Sequence, residues 1–138
     1  MIARTKDNKR FSEHMHRILQ NCFTDNLLDL HPNFYPHIDS DVIFQIDGNF
    51  GAAAAVTEAI VSYHDDKLYL LYNLPKGWEN GHMCGVKIPG GHTVNVKWED
   101  SKVTRLEIIF GFKKELRISV NGREISAKAK QGEKKIII

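Results

Sequence analysis

The stretch HTVNVKWEDSKVTRLEIIF, residues 92–110, alternates apolar and polar side chains on both sides of a short polar break. A period of two is typical of a strand that buries one face. The residues assigned to that face are Val94, Val96 and Trp98 in the first half and Thr104, Leu106, Ile108 and Phe110 in the second. Asp100-Ser101 lies between the halves as a turn signal. The stretch therefore predicts two antiparallel strands that share an apolar face.

The same alternation extends toward the C-terminus. In ELRISV, residues 115–120, apolar residues occupy every second position, and Asn121-Gly122 follows as a strong signal for a two-residue hairpin turn. Gly90-Gly91 marks another turn. Short alternating strands at this spacing are typical of an antiparallel sandwich or barrel. We predict six or seven strands from about Lys67 onward.

The N-terminal half has a helical period instead. One helical face is predicted from the three-and-four spacing of Phe11, Met15, Ile18, Leu19 and Cys22, and Asp7 is the predicted N-cap. A second helix is predicted from near Asn49 to about Tyr63, and its start is apolar on every side because residues 52–55 are all alanine. A helix of that kind is normally buried all round.

These patterns predict an α+β chain with two helices followed by an antiparallel β-sandwich. We place the helical segment at residues 1–65 and the sandwich at residues 66–138, with the boundary near Asp65-Asp66. A sandwich covers one side of the helices only. The helical segment is therefore expected to belong to a larger assembly.

The bulk composition excludes several classes of function. The 138 residues fit one domain, and 42% apolar with 26% charged residues is ordinary for a globular protein. A net charge of +2 gives no reason to expect nucleic acid or an anionic membrane as partner. No stretch approaches the roughly 20 apolar residues of a membrane span. The first ten residues lack the apolar core of a signal peptide, and two cysteines do not predict a disulfide framework.

Four stretches in order resemble the C-terminal region of family-95 glycoside hydrolases, which include α-L-fucosidases and related α-L-galactosidases. They are TDNLLDLHP at residues 24–32, FQIDGNFGAAAAVTEAI at 44–60, LYLLYNLPKGWENG at 68–81, and GVKIPGGHTVNVKWEDSKVTRLEI at 85–108. The resemblance implies the last helices of an (α/α)6 catalytic barrel followed by its terminal β-sandwich. The apolar helix would be an inner barrel helix, with the turn before it at the rim that faces the sugar.

The resemblance also implies roles for two residues. In the family, inversion at the anomeric carbon uses a glutamic acid as general acid and an asparagine as base, which a nearby aspartate polarises. Asp47 matches that aspartate, and His31 matches a histidine that lines the sugar site. The acid and the asparagine base match no residue of this chain, and Glu58 matches a structural residue. We therefore expect the isolated chain to be inactive.

From the residues alone, Asp47 is better interpreted as a turn or capping residue than as a functional one, and it is the resemblance that favours the functional role. Gly48 frees the backbone to bend, and Asn49 is expected to cap the helix that follows. The chain also departs from the family by an insertion of eleven residues, NFYPHIDSDVI, residues 33–43. The insertion is expected either to displace His31 from the sugar site or to reflect a loss of selection for catalysis.

No metal or cofactor is predicted. The possible ligands His31, His37, Asp39 and Asp41 fit neither a zinc pattern nor an EF-hand loop. The predicted partners are a fucosylated or galactosylated glycan, if the site is completed, and either the remaining barrel or a second copy that contacts the helices through Phe11, Met15, Phe50 and the alanines.

A non-catalytic alternative stays open. In it, the sandwich binds glycans or supports a partner, and Trp78 and Trp98 are the candidate platform for stacking a sugar ring. The alternation places Trp98 in the core instead, and the resemblance implies that Trp78 packs between barrel and sandwich. The family is often secreted or periplasmic, but this sequence assigns neither a localisation nor the sugar.

Overall fold

A computed structural model describes residues 4–5, 7–32 and 41–138. The first helix, α1, spans Asn8–Asn21, and the predicted N-cap Asp7 is confirmed because its carboxylate accepts the Arg10 backbone N–H at 3.0 Å. Phe11 and Met15 are buried, whereas Ile18 and Leu19 of the predicted apolar face are exposed. The contact surface of α1 is therefore narrower than its sequence period predicts.

The second helix, α2, spans Ile46–Ile60. It begins before Asn49 and ends before Tyr63, because the chain turns into a strand at Val61. Its alanines Ala55 and Ala59, together with Val56, pack on Phe11 and Met15 of α1. Phe11 and Met15 therefore lie inside the helix pair, and the expectation that they form part of an exposed surface for a second copy is wrong.

The described residues also form ten strands. They are β1 Leu30–Pro32, β2 Val42–Phe44, β3 Val61–His64, β4 Lys67–Leu70, β5 Gly81–Ile88, β6 His92–Glu99, β7 Lys102–Ile109, β8 Glu115–Val120, β9 Arg123–Lys128 and β10 Lys134–Ile136. Seven of them lie from Lys67 onward, as predicted. The strands β1 and β2 form a separate two-stranded sheet beside the start of α2.

The sandwich consists of two four-stranded sheets, ordered β10-β7-β6-β5 and β3-β4-β8-β9. Their facing side chains form one core, to which Leu68 and Ile118 belong from one sheet and Val96 and Leu106 from the other. Neighbouring strands are antiparallel except β4 and β8, which pair in parallel. Three strands of the first sheet, β5, β6 and β7, lie between β4 and β8 along the chain, and β8 returns beside β4 in the same direction. The predicted α+β fold with a β-sandwich is confirmed.

A β-bulge corrects one detail of the predicted alternation. Lys97 pairs with Arg105, but the next residue, Trp98, pairs with Val103, so Thr104 has no partner in the ladder. Thr104 is exposed, and Val103 takes the buried position that the sequence assigned to Thr104. The extra residue bends the strand and re-aims its side chains.

The strand β3 crosses the predicted domain boundary. Asp65 and Asp66 form the two-residue turn of a hairpin that pairs β3 with β4 from His64↔Lys67 to Val61↔Leu70. One strand of residues 1–65 therefore belongs to the same sheet as strands of residues 66–138. The division of the chain into those two domains stays a prediction. No helix of the described residues has the length and apolar character needed to cross a membrane.

Candidate functional site

The candidate site lies where the small β1–β2 sheet meets the first turn of α2. Asp47 is the second residue of α2 and is exposed. Among the described residues, its carboxylate has no hydrogen-bond or ion-pair partner. The backbone N–H groups of a first helical turn are without helical acceptors, and they favour negative charge there. Asp47 is therefore placed as an accessible carboxylate at a helix N-terminus.

His31 lies on β1, directly opposite Ile43 of β2. The pairing runs from Leu30↔Phe44 to Pro32↔Val42, so the residues before the eleven-residue insertion lie beside its last residues. Phe44, which follows the insertion directly, stays in register with Leu30, and the displacement of His31 from the sugar site stays a prediction. Residues 33–40, including His37 and Asp39, lie outside the described residues.

The side chain of Asn49 hydrogen-bonds to the loop before β1 instead of capping α2. Its Oδ1 accepts the Asp29 backbone N–H at 2.8 Å, and its Nδ2 donates to the Leu27 carbonyl. The N-cap is Gln45, whose side chain makes no capping bond and whose backbone N–H donates to the Asp29 carbonyl at 3.0 Å. The capping role expected for Asn49 is therefore wrong, because its side chain reaches across to the loop.

Asp29 lies between the two predicted site residues, and sequence reasoning missed it. It is 3% exposed, and its Oδ2 lies 3.6 Å from His31 Nε2. It also touches the helix so closely that a Cβ at Gly48 would lie 1.5 Å from Oδ2. The signal that was available is the Asp-x-His spacing, since residues two apart in an extended chain point to the same side.

Glu58 is unsuited to the role of a general acid. Arg4 donates two hydrogen bonds to its carboxylate, at 3.0 and 2.6 Å, and the Ser62 hydroxyl donates a third at 2.9 Å. The bond from Arg4 holds the pKa of Glu58 below its usual range, although partial burial opposes this. A general acid has to carry a proton near neutral pH. The structural role inferred for Glu58 agrees with this geometry.

The two tryptophans do not form an exposed pair. Trp98 is 4% exposed in the core, as its alternation predicts, and its indole N–H donates to the Trp78 carbonyl at 2.7 Å. Trp78 is half-buried against the same core. A flat exposed ring face is what stacks on a sugar, so this pair offers no platform. Within the described part of the chain, no group of three or more metal-ligating side chains comes together.

An apolar surface of α2 lies exposed beside Asp47. We call it the outer face of α2 and define it by Ile46, Phe50, Ala53 and Ala54, which follow the helical spacing of i, i+4, i+7 and i+8. All four are exposed, and Phe50 is 68% accessible. The opposite side of the helix packs on α1 and the sandwich. The helix predicted to be buried all round is thus covered on one side in this chain.

Comparison with known proteins identifies the family of this chain. The model described as "Glycoside hydrolase family 95, C-terminal domain" matches residues 62–137, and "Glycosyl hydrolase family 95 catalytic domain" matches residues 1–60. Alpha-L-fucosidase 2 of Arabidopsis thaliana is 48% identical over 61 residues, which are 44% of this chain and 7% of that protein. Probable alpha-fucosidase A of Aspergillus niger is 27% identical over 96 residues, which are 62% of this chain and 11% of that protein.

The chain therefore spans a small fraction of the length of the curated relatives that it matches. The C-terminal domain match alone covers more than half of the chain, from the first strands of the sandwich to nearly its last residue. The change from catalytic-domain match to C-terminal-domain match falls where α2 gives way to β3. This chain belongs to glycoside hydrolase family 95.

Proposed function

We propose that this chain is the C-terminal part of an α-L-fucosidase-type glycoside hydrolase, and that it contributes Asp47 and His31 to a sugar site which the rest of the catalytic domain completes. The match of residues 1–60 to the family's catalytic domain supports a catalytic role for this segment. Two relatives named as α-fucosidases support the fucoside as substrate class.

The observation that carries the proposal is the outer face of α2 next to Asp47. An exposed apolar surface of this kind normally marks a site of interaction. The catalytic-domain match ends with α2, so the neighbours that would cover this face belong to earlier parts of such a domain. If other helices cover the sides of α2, its exposed start lies at the rim of a barrel. Asp47 is then accessible to substrate there.

In the proposed mechanism, Asp47 acts on the base and not on the sugar itself. A glutamic acid protonates the leaving oxygen as the bond to the anomeric carbon breaks, and water attacks from the opposite face under the direction of an asparagine amide. The carboxylate of Asp47 accepts a hydrogen bond from that amide, which makes the amide oxygen a better acceptor for the proton of water. His31 hydrogen-bonds a sugar hydroxyl and orients the ring.

The isolated chain is expected to be inactive because the acid and the asparagine are elsewhere. The proposal is tested with a hybrid in which the segment of Arabidopsis alpha-L-fucosidase 2 that corresponds to residues 1–60 of this chain is replaced by those residues. The hybrid should hydrolyse an aryl α-L-fucoside. Asp47→Asn should lower kcat by up to about 10²–10⁴-fold, the range of the general-base contribution that Asp47 supports through the asparagine. His31→Ala should mainly raise KM.

Asp25→Asn is the matched control, since Asp25 is exposed in the same region. Equal activity of the Asp47→Asn and Asp25→Asn hybrids would contradict the catalytic role of Asp47. Turnover by the isolated chain that disappears in Asp47→Ala would contradict the requirement for the missing helices. A glycan bound by the isolated chain without turnover by the hybrid would favour the non-catalytic alternative.

A further inference from the structure

We infer that Asp29 is a positioning residue, whose buried carboxylate orients the imidazole of His31 and ties it to the helical turn that carries Asp47. The inference deepens the proposed function and rests on it, because it assigns a support to the proposed sugar-binding His31. The family resemblance implies roles for Asp47 and His31, and it implies none for Asp29.

The carboxylate of Asp29 is buried. The side chain of Asp29 is 4% exposed, and its Oδ1 is buried without a hydrogen-bond partner among the described residues. Burying a carboxylate is costly unless it is paired. Among those residues, the one ion-pair partner of Asp29 is His31, whose Nε2 lies 3.6 Å from Oδ2. A buried carboxylate aimed at one ring nitrogen of a half-exposed imidazole is suited to fixing the orientation of that ring.

Asp29 is also attached to the start of α2 through its backbone. Both backbone polar groups of Asp29 bond to the start of the helix, the N–H to Asn49 Oδ1 at 2.8 Å and the carbonyl to the Gln45 N–H at 3.0 Å. The carboxylate itself rests on Gly48, where even a single methyl group would displace it. Gly48 follows Asp47 directly, so Asp29 sets the position of His31 relative to the turn that holds Asp47.

The helix provides a matched pair of glycines for the test. Gly48→Ala places a methyl group into the Asp29 carboxylate, whereas a Cβ at Gly51 meets nothing within 4 Å. Both substitutions replace a helical glycine by a better helix former. A difference between the two variants therefore reports the displacement of Asp29 and not the helix propensity of alanine.

The measurement is the proton position on the His31 ring, read from one-bond and long-range ¹H–¹⁵N correlations of the histidine-labelled full chain at about pH 8, where an ordinary imidazole is neutral. His31→Gln identifies the signals. In the wild-type chain, we expect the proton on Nε2 alone, donated to Asp29. Asp29→Asn and Gly48→Ala should both populate the second tautomer, and Gly51→Ala should keep the wild-type pattern.

A wild-type ring with its proton on Nδ1, or one that samples both tautomers, would overturn the inference without any variant. Gly48→Ala and Gly51→Ala spectra that agree at His31 would overturn it as well. The resonances of the sandwich report in each sample that the chain is folded. The experiment uses no sugar, so its failure is distinct from a failure of the hybrid enzyme to hydrolyse a fucoside.

Discussion

His92 lies inside the sandwich with 0% of its surface exposed. Its Nδ1 accepts the Gly111 backbone N–H at 3.2 Å, and the ring meets the edge of Phe110. The accepting Nδ1 leaves the proton on Nε2, which is buried without a hydrogen-bond partner among the described residues. Burial of the ring, and the nearby charge of Lys113, lower the pKa of His92 below its usual range. His92 is therefore a neutral core residue.

This burial predicts a loss of stability in acid. The unfolded chain binds a proton at His92 below pH about 6.5, while the folded chain resists it until the pH falls through the lowered pKa. Between those two values, the free energy of unfolding should fall by up to about 1.4 kcal/mol per pH unit from this residue. Urea unfolding of the wild-type chain and of His92→Gln at pH 8 and pH 5 measures the difference. An identical pH dependence in both would contradict the neutral state of His92.

The hairpin turns show how local backbone geometry fixes the sheets. Asp100-Ser101 and Asn121-Gly122 each join two strands through two residues with positive φ. The φ angles are 48° at Asp100 and 59° at Ser101 in the first turn, and 49° at Asn121 and 74° at Gly122 in the second. Such turns match the twist of antiparallel strands and favour glycine at the second position. The turn at residue 101 carries a serine in the conformation that suits glycine, so it is under more strain than the turn at residue 122.

Replacing Ser101 by glycine and Gly122 by serine should therefore change the stability of the chain in opposite directions. Ser101→Gly should stabilise the chain by about 1 kcal/mol, and Gly122→Ser should destabilise it by a similar amount, since side chains with a Cβ are disfavoured at positive φ. A Cβ at Gly122 meets nothing within 4 Å, so its effect comes from the backbone alone. Thermal unfolding followed by circular dichroism measures both, and shifts of the same sign would contradict the argument.

Elements with a clear period were predictable, and those set by distant contacts were not. The strands around Trp98 and the turn at Asn121 follow from alternation and turn chemistry. The helical spacing of α2 continues through Tyr63, but pairing with β4 makes Val61–His64 a strand. The bulge at Thr104 likewise depends on the neighbouring strand. In the site, Asp47 and His31 came from family resemblance, whereas Asp29 was missed because its role arises from contact with Gly48, nineteen positions away.

At the scale of the whole molecule, β3 belongs to the sandwich although it follows directly on α2. Ile60 and Val61 are both buried in the sandwich core. A chain that retains residues 60–138 should therefore fold to a β-sheet protein with a cooperative unfolding transition. A chain of residues 66–138 loses these two side chains, which alone costs about 3–6 kcal/mol.

Circular dichroism and thermal unfolding of the two truncated chains test this expectation. The longer one should show sheet-type spectra and the higher Tm. Equal stability of the two would mean that the sandwich folds without residues 60–65, in agreement with the domain boundary predicted from the sequence. Disorder in both would mean that the helices form part of the sandwich core.

In the proposed function, the outer face of α2 is covered by the rest of a catalytic barrel. Without that barrel, two copies of the isolated chain should cover it for each other, since a two-fold dimer is the commonest solution. Ala54→Glu places a carboxylate in the middle of the face. Burying this carboxylate without a partner is costly, so the dimer should dissociate. Thr104→Glu adds the same charge to an exposed position of the sandwich and serves as the control.

Light scattering across a range of concentrations is the most direct test of this claim. We expect the wild-type chain and Thr104→Glu to dimerise as the concentration rises, and Ala54→Glu to remain monomeric. A wild-type chain that stays monomeric at high concentration would contradict the account, because the outer face of α2 would then tolerate water.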